Sequence, residues 1–491
     1  MNLRAVASKV GRYETFGGSS LSGRAIGCAR HAAPIVLGLL LLSAVPASAQ
    51  PYDVPPTWGG DIWSRPRLTG DWFGLRDDLG KKGLVFDVDL LLTPQSVMTG
   101  GVDTGSEFWG NAEYTLNLDT GKAGLWPGGF LKLSANSGFG QNVFLKSGEI
   151  VPVNTAALVP KVGDQTTALT NATFMQFLST KFGLMAGKIF TLDGFQGEFA
   201  GNYRTQFLNT GLVFPMAMDL VPISAYGGGV ILIPWENVLA SVLVLDPSGT
   251  PTNNDLSEAF EDGVALVGGG KVTIKPFGLV GHQQVGGMWS NKNRLDLSQD
   301  PSNVGRMLLT NQFPLLGDPG PVLKRYLDRF FPQLLEPIQP ARKHDSTWAV
   351  YYGFDQYLWQ PGGDPKRGIG IFFTFGASDG IVNPVKYSYN VGVGGNGIVP
   401  GRPKDNFGVG WARADLTSNF VPLLRTELHL GLEHDDAIEM YYNAVLTSWL
   451  SAALDLQIVN PALKKRLDSS GRGLSDVDTG VIGGLRLYVR F

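Results

Sequence analysis

The chain has 491 residues, of which 40 are lysine or arginine and 43 are aspartate or glutamate, so its formal net charge is −3. No basic stripe accompanies this balance, which excludes nucleic acid as a partner. Charged residues make up 17%, glycines number 65, and the single cysteine, Cys28, excludes a disulfide framework. Few charges and many glycines favour one large barrel wall with tight turns over several soluble domains.

Residues 1–49 carry the pattern of a secretory signal peptide. Basic residues precede an apolar stretch from Pro34 to Val45, and Ala47-Ser48-Ala49 supplies the small residues of a cleavage site. An uncleaved membrane anchor is the alternative, but Pro34 and Pro46 leave an apolar core too short to span a bilayer. We therefore predict cleavage after Ala49 and export.

The next segment, residues 50–83, is predicted to contain a short helix ahead of the first strand. Residues Asp71 to Leu79 have helical spacing, with Thr69 or Asp71 available as N-cap and Gly80 as C-cap. A second helix is predicted between Pro321 and Pro340, as an insertion in a loop. Packing on the rim, plugging of the lumen and contact with a neighbouring subunit are all open roles for this insertion.

From Leu84 to Phe491, short segments alternate in polarity and are separated by Gly, Asn, Asp and Pro turns. Thr479 to Phe491 sets Val481, Leu485 and Leu487 on one face of a strand and Arg486, Tyr488 and Arg490 on the other. Other candidate strands are Leu84 to Leu92, Ala112 to Leu118, Gly129 to Ala135, Phe174 to Leu178, Val264 to Ile274, Trp348 to Tyr357, Ile369 to Phe375, Arg425 to His434 and Ala452 to Ile458.

Nothing after the leader has the pattern of a transmembrane helix. The uncharged run from Leu220 to Trp235 is broken by Pro222, three glycines and Pro234. Because lipid forbids unpaired backbone groups, an exported chain of this kind is either soluble or a closed barrel. The 442 residues that remain after removal of residues 1–49 suit a transmembrane antiparallel β-barrel of about 16 strands, an all-β fold. Tryptophans near strand ends are candidates for interfacial girdles, namely Trp109, Trp126, Trp235, Trp289, Trp359 and Trp449.

Three patterns that suggest catalysis or ligand binding have simpler explanations. Gly376 to Gly380 matches a nucleophile elbow around Ser378, but Pro384 follows where a helix is required, which favours a plain turn. Gly392 to Gly397 matches a dinucleotide fingerprint without its helix, which favours a glycine-rich loop. His429 and His434 have opposite parity in a strand, and the acidic pair Asp435 and Asp436 is predicted to lie in a loop, so a metal site is disfavoured.

One cluster between Gly187 and Asn209 mixes charged and aromatic residues. Sugars need polar groups for their hydroxyls and flat apolar faces for their C–H patches. An internal loop with this composition would narrow a pore and select such solutes, whereas an ordinary surface loop is the alternative. The candidate constriction residues are Asp193, Glu198, Tyr203, Arg204 and Gln206.

Several separated motifs, in order, resemble the carbohydrate-selective porins of the OprB family. They are L-T-G-D-W-F-G-L-R from Leu68, F-x-G-x-x-N-Y-R-T-Q-F-L-N from Phe199, S-D-G-x-x-N-P from Ser378, G-N-G-I-V-P-G-R-P-K-D-N-F-G-V-G from Gly395, E-M-Y-Y-N-A from Glu439, W-L from Trp449 and D-L-Q-I-V-N-P from Asp455.

The resemblance implies an outer-membrane barrel of 16 strands with a periplasmic N-terminal segment, passing glucose and other sugars down their gradient. It also implies a charged and aromatic constriction formed by a loop folded into the barrel. Two features depart from the family: Phe73 stands where a glycine is frequent, and the insertion between Pro321 and Pro340 is extra.

The first hypothesis is therefore a passive sugar porin that needs no cofactor. Its expected partners are sugars as transported solutes, outer-membrane lipid and the barrel-assembly machinery, with a homotrimer as the expected assembly. The alternatives are a less selective general porin, an outer-membrane hydrolase that uses Ser378, and a soluble exported β-sandwich or lectin.

Overall fold

The computed structural model describes residues 52, 54–299, 303, 320–330, 332, 339–362, 364–420, 425, 429–467 and 473–491. The predicted signal peptide, residues 1–49, lies outside the described residues. The strands are β1 (Leu84–Gly101), β2 (Gly105–Asp119), β3 (Gly129–Gly140), β4 (Thr166–Ser179), β5 (Phe182–Phe190), β6 (Ser224–Trp235), β7 (Val238–Leu245), β8 (Ala265–Ile274), β9 (Gly281–Ser290), β10 (Arg294–Leu295), β11 (Lys343–His344), β12 (Thr347–Trp359), β13 (Gly368–Ser378), β14 (Val385–Asn396), β15 (Asn406–Leu416), β16 (His434–Thr447), β17 (Leu450–Asn460), β18 (Lys465–Leu467), β19 (Leu474–Asp476) and β20 (Asp478–Arg490).

Sixteen of these strands form a closed barrel in the order β1 to β9, β12 to β17 and β20. Each pairs antiparallel with its neighbours, and β1 closes the barrel against β20, with Asp89 opposite Arg490. The short strands β10 with β11 and β18 with β19 form two-stranded ribbons within loops. The prediction of an all-β antiparallel barrel of about 16 strands is confirmed.

The helices are short and lie outside the barrel strands. They are α1 (Leu75–Lys81), α2 (Phe144–Ser147), α3 (Thr210–Val213) and α4 (Gly320–Phe330), with 3-10 helices at Thr155–Leu158, Leu192–Phe195, Met216–Met218 and Pro276–Gly278. Within the described ranges, none of the helices has the length and hydropathy needed to cross a bilayer. Helix α4 confirms a helix in the predicted insertion over residues 320–330, while residues 331 and 333–338 of that prediction lie outside the described residues.

Side-chain parity separates an outer apolar face from a polar lumen, as the last strand shows. On β20, Leu485 is 47% exposed on the outside of the barrel, whereas Arg486 on the opposite face is 1% exposed. On β1, Leu91, Thr93, Gln95 and Val97 are buried and alternate with residues of the outer face. This alternation is the pattern of a strand between lipid and a lumen.

The two ends of the barrel differ in the length of their connections. Leu84 and Phe491 lie at one end, the terminal end, where turns as short as residues 180–181 and 236–237 join the strands. The opposite end, the loop end, carries long connections. Two of them fold into the lumen: residues 141–165, the backing loop, and residues 191–223, the inward loop. The buried core therefore lies inside the barrel, between these loops and the wall.

The predicted N-terminal helix starts later than expected and has different caps. Trp72, Phe73 and Gly74 have φ values of 53°, 59° and 89°, so helix α1 begins only at Leu75. Gly74 takes the N-cap position without a side-chain hydrogen bond, and Gly80 lies inside the helix, which ends at Lys81. A left-handed run cannot belong to a right-handed helix, so Thr69 and Asp71 cap nothing.

The predicted strand from Arg425 to His434 is wrong over its described part. β16 begins at His434, and His429, Gly431 and Leu432 have positive φ values. The acidic residues that we placed in a loop, Asp435 and Asp436, instead open this strand. The glycine-rich segment from Gly392 was also misassigned to a loop, since residues up to Asn396 belong to β14.

The sequence analysis offered no candidate strand at β5 to β7, β9 or β14 to β16. In β5 to β7 the reason is that polarity does not alternate. On the lumen side, Ile189, Ala225, Leu245 and Ala265 form an apolar cluster, while Val242 and Val244 are exposed on the outside. Trp109, predicted as a girdle residue, is 1% exposed in the lumen, and its indole donates to the carbonyl of Ala156 in the backing loop.

Candidate functional site

The inward loop folds into the lumen because it carries aromatic side chains that pack on the barrel wall. The ring of Phe199 lies 4.8 Å from that of Tyr357 on β12. The ring of Phe207 lies 4.9 Å from Tyr441 on β16 and 5.3 Å from Phe372 on β13. These contacts bury both phenylalanines completely. The loop is therefore held against one side of the barrel by its apolar residues.

Glycines on the wall provide the space for these rings. A Cβ atom on Gly370 would lie 2.4 Å from the ring of Phe199, and one on Gly394 would lie 2.6 Å from it. A Cβ atom on Gly408 would lie 2.7 Å from the ring of Phe207. Gly394 belongs to the segment that matched a dinucleotide-binding fingerprint, and its role in the structure is to leave room for the inward loop.

Polar side chains of the wall hold the backbone of the same loop. The carboxylate of Glu439 accepts from the amides of Leu208 and Asn209, at 2.6 and 2.7 Å. Arg486 on β20 donates to the carbonyl of Tyr203 at 2.8 Å. Side-chain amides complete the set: Asn383 donates to Ala217, Asn390 to Gly211, Asn396 to Glu198 and Asn406 to Thr205. Several motifs that carry the family resemblance thus contain residues that fix the loop.

A cavity of about 430 Å³ remains between the inward loop and the opposite wall, formed by β1 to β4 and β20. Its lining is polar and charged, and two ion pairs connect the loop to the wall across it. Arg204 pairs with Glu113 on β2, and Asp193 pairs with Lys132 on β3 at 3.2 Å. The guanidinium of Arg204 also lies 4.8 Å from the ring of Tyr203. A solute that crosses this cavity passes beside both pairs.

The remaining acids of the cavity are also paired. Asp87 and Asp89 on β1 lie 2.9 and 3.0 Å from the guanidinium of Arg67. Arg76 of helix α1 approaches Asp87 to 2.7 Å. The cavity therefore offers many hydrogen-bond donors and acceptors, and its positive and negative charges are paired at short range.

The structure places the five predicted site residues in two groups. Asp193 and Arg204 line the cavity. Glu198 accepts from the hydroxyl of Tyr357, on the wall to which the loop is anchored. Tyr203 is 4% exposed in a cluster with Trp109, and Gln206 donates to the carbonyl of Glu198 at 2.9 Å.

The sequence analysis missed Glu113 and Lys132 as partners at the site. Both lie on segments that we predicted as strands, in lumen-facing positions between apolar residues. The signal that the sequence offered for these two residues was a charged side chain on the polar face of a predicted strand. Their pairing with loop residues about 60 to 90 positions away was not visible in the sequence.

The structure explains why Ser378 matches the nucleophile-elbow pattern of a hydrolase. Its hydroxyl is buried at the end of β13, donates to the carbonyl of Val385 at 2.8 Å and accepts from the amide of Gly380. A turn into β14 follows, which confirms the plain-turn interpretation. At the disfavoured metal site, His434 lies 3.4 Å from Asp436 on the same strand. In the described part of the chain, no cluster of His, Cys, Asp and Glu has the arrangement of a metal site.

A sequence model described as "Carbohydrate-selective porin, OprB family" matches residues 108–491. The chain belongs to this family. It is 24% identical to Porin B of Pseudomonas aeruginosa over 157 residues, which cover 29% of this chain and 32% of Porin B. The match therefore spans about a third of that relative's length.

Solved structures of Pseudomonas putida OprB share the fold. The high-pH structure superposes with a TM-score of 0.68 at 20% identity and covers 88% of this chain and 100% of its own. The low-pH structure gives a TM-score of 0.51 at 15% identity and covers 87% of this chain and 99% of its own. Family and fold together place the barrel in the outer membrane of a Gram-negative bacterium.

Proposed function

We propose that this OprB-family barrel lets neutral carbohydrates diffuse passively across the outer membrane, through the cavity between the inward loop and the wall. The observation that carries the proposal is the set of paired charges in its lining, Arg204 with Glu113 and Lys132 with Asp193. Each pair presents a donor and an acceptor side by side, the arrangement that neighbouring sugar hydroxyls can bridge. Tyr488 and Phe130 add aromatic surface for C–H patches.

Pairing also explains a preference for neutral solutes over ions. Selectivity in a pore follows from its width and from the charges and hydrogen-bonding groups that line it. Opposite charges that lie within hydrogen-bonding distance of each other produce little field at the centre of the cavity, so an ion gains little there. Hydroxyl groups, in contrast, exchange hydrogen bonds with each member of a pair.

Passive diffusion is tested by solute entry into liposomes that contain the purified protein. We expect glucose to enter faster than an amino acid of similar size, and glucose to reduce the ion current through a single channel in a planar bilayer. Equal entry of both solutes, with an unaffected current, would support the general porin instead.

Arg204→Ala tests the placement of the constriction. The variant removes one ion pair, leaves Glu113 unpaired and widens the cavity. We expect normal membrane insertion, altered sugar entry and a shift of the reversal potential towards cation preference. Arg466→Ala is the matched control, because Arg466 is exposed on β18 at the loop end. Unchanged sugar entry and ion preference would show that Arg204 does not border the passage.

We assign the five predicted residues different parts in this function. Asp193 and Arg204 contact the solute, and Glu198, Tyr203 and Gln206 position the loop that carries them. Catalysis is not part of the proposal, since the hydroxyl of Ser378 is engaged with its own turn. Failure of a serine-reactive phosphonate to label the folded protein is the expected result.

Placement in the cell follows from the same proposal. Residues 1–49 direct export, residues 50–83 lie on the periplasmic side, and residues 84–491 are inserted by the barrel-assembly machinery as a homotrimer. The short turns of the terminal end support this orientation, because outer-membrane barrels have short periplasmic turns. N-terminal sequencing of the mature protein and its mass in detergent test the cleavage site and the assembly.

A further inference from the structure

The turn before helix α1 projects an aromatic side chain away from the protein. Trp72 and Phe73 both have positive φ values, a conformation that costs non-glycine residues free energy. Phe73 is 108% exposed, as much as in an extended peptide, and Leu75 beside it is 56% exposed. A strained backbone that presents an apolar ring outwards indicates a partner for that ring.

This turn lies on the outer face of the barrel, beside the junction of β1 and β20. The ring of Trp72 is 6.5 Å from that of Phe86, an outward residue of β1. The amide of Phe491 donates to the carbonyl of Val88 at 2.8 Å, which holds the end of the chain next to the same strand. A groove of about 300 Å³ is left here, with apolar walls formed by Thr69, Trp72, Phe86, Val88 and Phe491.

The groove is continuous with the surface that faces lipid. Phe86 and Val88 stand opposite Leu116 and Tyr114 of β2, and Leu90 stands opposite Val489 of β20. All of these side chains share the outward parity, so the groove opens into the apolar band of the barrel. Whatever fills the groove therefore comes from the apolar phase around the barrel.

We propose that the Trp72–Phe73 turn inserts into the membrane leaflet at the terminal end and that the groove beneath it holds an acyl chain of a phospholipid. Aromatic residues favour the boundary between headgroups and acyl chains. Ile62 and Trp63, exposed in the same N-terminal segment next to Trp449, extend this aromatic rim along the barrel. The segment would thus bind lipid as well as cover the barrel end, and the proposal is independent of the solute that is transported.

A nitroxide at position 73 tests the insertion. In a full chain that carries Cys28→Ser, Phe73→Cys is spin-labelled in phosphatidylcholine vesicles, and its collisions with oxygen and with a water-soluble nickel chelate are compared. We expect oxygen to dominate, as at the lipid-facing control Leu454→Cys, whereas the exposed control Lys82→Cys of the same segment favours nickel. A nickel preference at position 73 equal to that at position 82 would overturn the proposal. Spectral broadening that disappears on dilution with unlabelled protein would do the same, because it would assign the turn to a contact between copies.

Val88→Trp tests the groove itself. The larger side chain fills the groove from the outward face of β1. We expect the motionally restricted fraction of a phosphatidylcholine probe, spin-labelled on its acyl chain, to decrease relative to the wild type. The control Val242→Trp changes an outward residue of β7 far from the groove and leaves that fraction unchanged. An equal fraction in Val88→Trp and the wild type would show that no lipid chain occupies the groove.

Discussion

Two buried acids lie at the loop end of the lumen, Asp435 on β16 and Glu149 in the backing loop. Asp435 accepts hydrogen bonds from the backbone amides of Ile150, Val151 and Ala462. Glu149 of the backing loop is 5% exposed, with the side-chain amide of Asn209 beside it. Burial raises the pKa of Glu149 well above its usual range, and the carboxylate of Asp435 raises it further. The loop end of the lumen therefore contains a carboxyl group that stays protonated to unusually high pH.

Glu149→Gln is expected to change how stability depends on pH. At pH values below the ordinary pKa of a glutamate, the folded and unfolded chains are both protonated and the variant differs little. As pH rises, the unfolded chain releases its proton while folded Glu149 keeps it, so the unfolding free energy of the wild type falls. Glutamine cannot ionise, so the variant loses less stability between pH 5 and pH 8. Melting temperatures from the gel shift of the heated barrel measure this, and equal pH slopes would contradict it. Glu258→Gln, in an exposed loop, is the control.

The inward loop behaves as one element because aromatic packing and backbone hydrogen bonds act on it together. Phe199 and Phe207 fix its two sides against the wall, and Glu439 accepts from two consecutive amides between α3 and Phe207. In the proposed function, sugar passage would depend on the rigidity of the loop, because Arg204 and Asp193 lie on the same stretch of chain. A loop that shifts by one or two ångströms would separate both from Glu113 and Lys132.

Glu439→Gln is expected to loosen this element. Glutamine offers one acceptor oxygen where the carboxylate offers two. Its side-chain NH2 group, itself a donor, would face one of the two backbone N–H donors. Hydrogen bonds to charged groups contribute about 1.5–3 kcal/mol each, so we expect the unfolding free energy to fall by about 2 kcal/mol. Open-channel current noise should increase at the same time. Glu433→Gln, exposed just before β16, should leave both quantities unchanged. A quiet channel with lowered stability would show that Glu439 supports the wall alone.

For the whole molecule, the junction of β1 and β20 joins segments that are distant in sequence. The N-terminal segment reinforces it: Arg76 donates to the carbonyls of Phe86 at 2.8 Å and Phe491 at 3.1 Å and pairs with Asp87. The amide of Leu68 donates to the carbonyl of Arg490 at 2.8 Å. The guanidinium of Arg76 also lies 4.8 Å from the ring of Trp72, and this contact supports the turn that we propose to bind lipid.

Arg76→Ala is expected to weaken closure of the barrel. The substitution removes a charged donor from the carbonyls of Phe86 and Phe491 and from Asp87, which keeps its second partner Arg67. Hydrogen bonds to charged groups contribute about 1.5–3 kcal/mol each, so we expect the unfolding free energy to fall by about 3 kcal/mol. Arg76→Lys should recover part of this loss, because lysine keeps the charge without the planar fork that reaches several acceptors. Urea unfolding of the protein in vesicles measures both variants, with Lys82→Ala as an exposed control in the same segment. Equal midpoints for the wild type and Arg76→Ala would show that the barrel closes independently of residues 52–83.

The sequence determined the barrel because alternation is a local property. The parity of residues 479–491, together with similar segments and the lack of a transmembrane-helix pattern after the predicted signal peptide, was enough to predict a barrel with an outward apolar face. The number of about 16 strands came from the chain length and the family resemblance. Where alternation was missing, as in β5 to β7, the strands escaped notice, since their lumen side packs under the inward loop. Backbone conformation was equally hidden, because nothing in the side chains of Trp72 and Phe73 indicates positive φ values.

Only the tertiary structure decided which side chains line the cavity. The five predicted site residues all belong to the inward loop. Only Asp193 and Arg204 line the cavity, whereas Glu198, Tyr203 and Gln206 hold the loop in place. That division depends on glycines at 370 and 394 and on Glu439, which stand more than 160 positions further along the chain. Contacts at such separation arise only when the sheet has closed, because closure brings the wall residues opposite the loop.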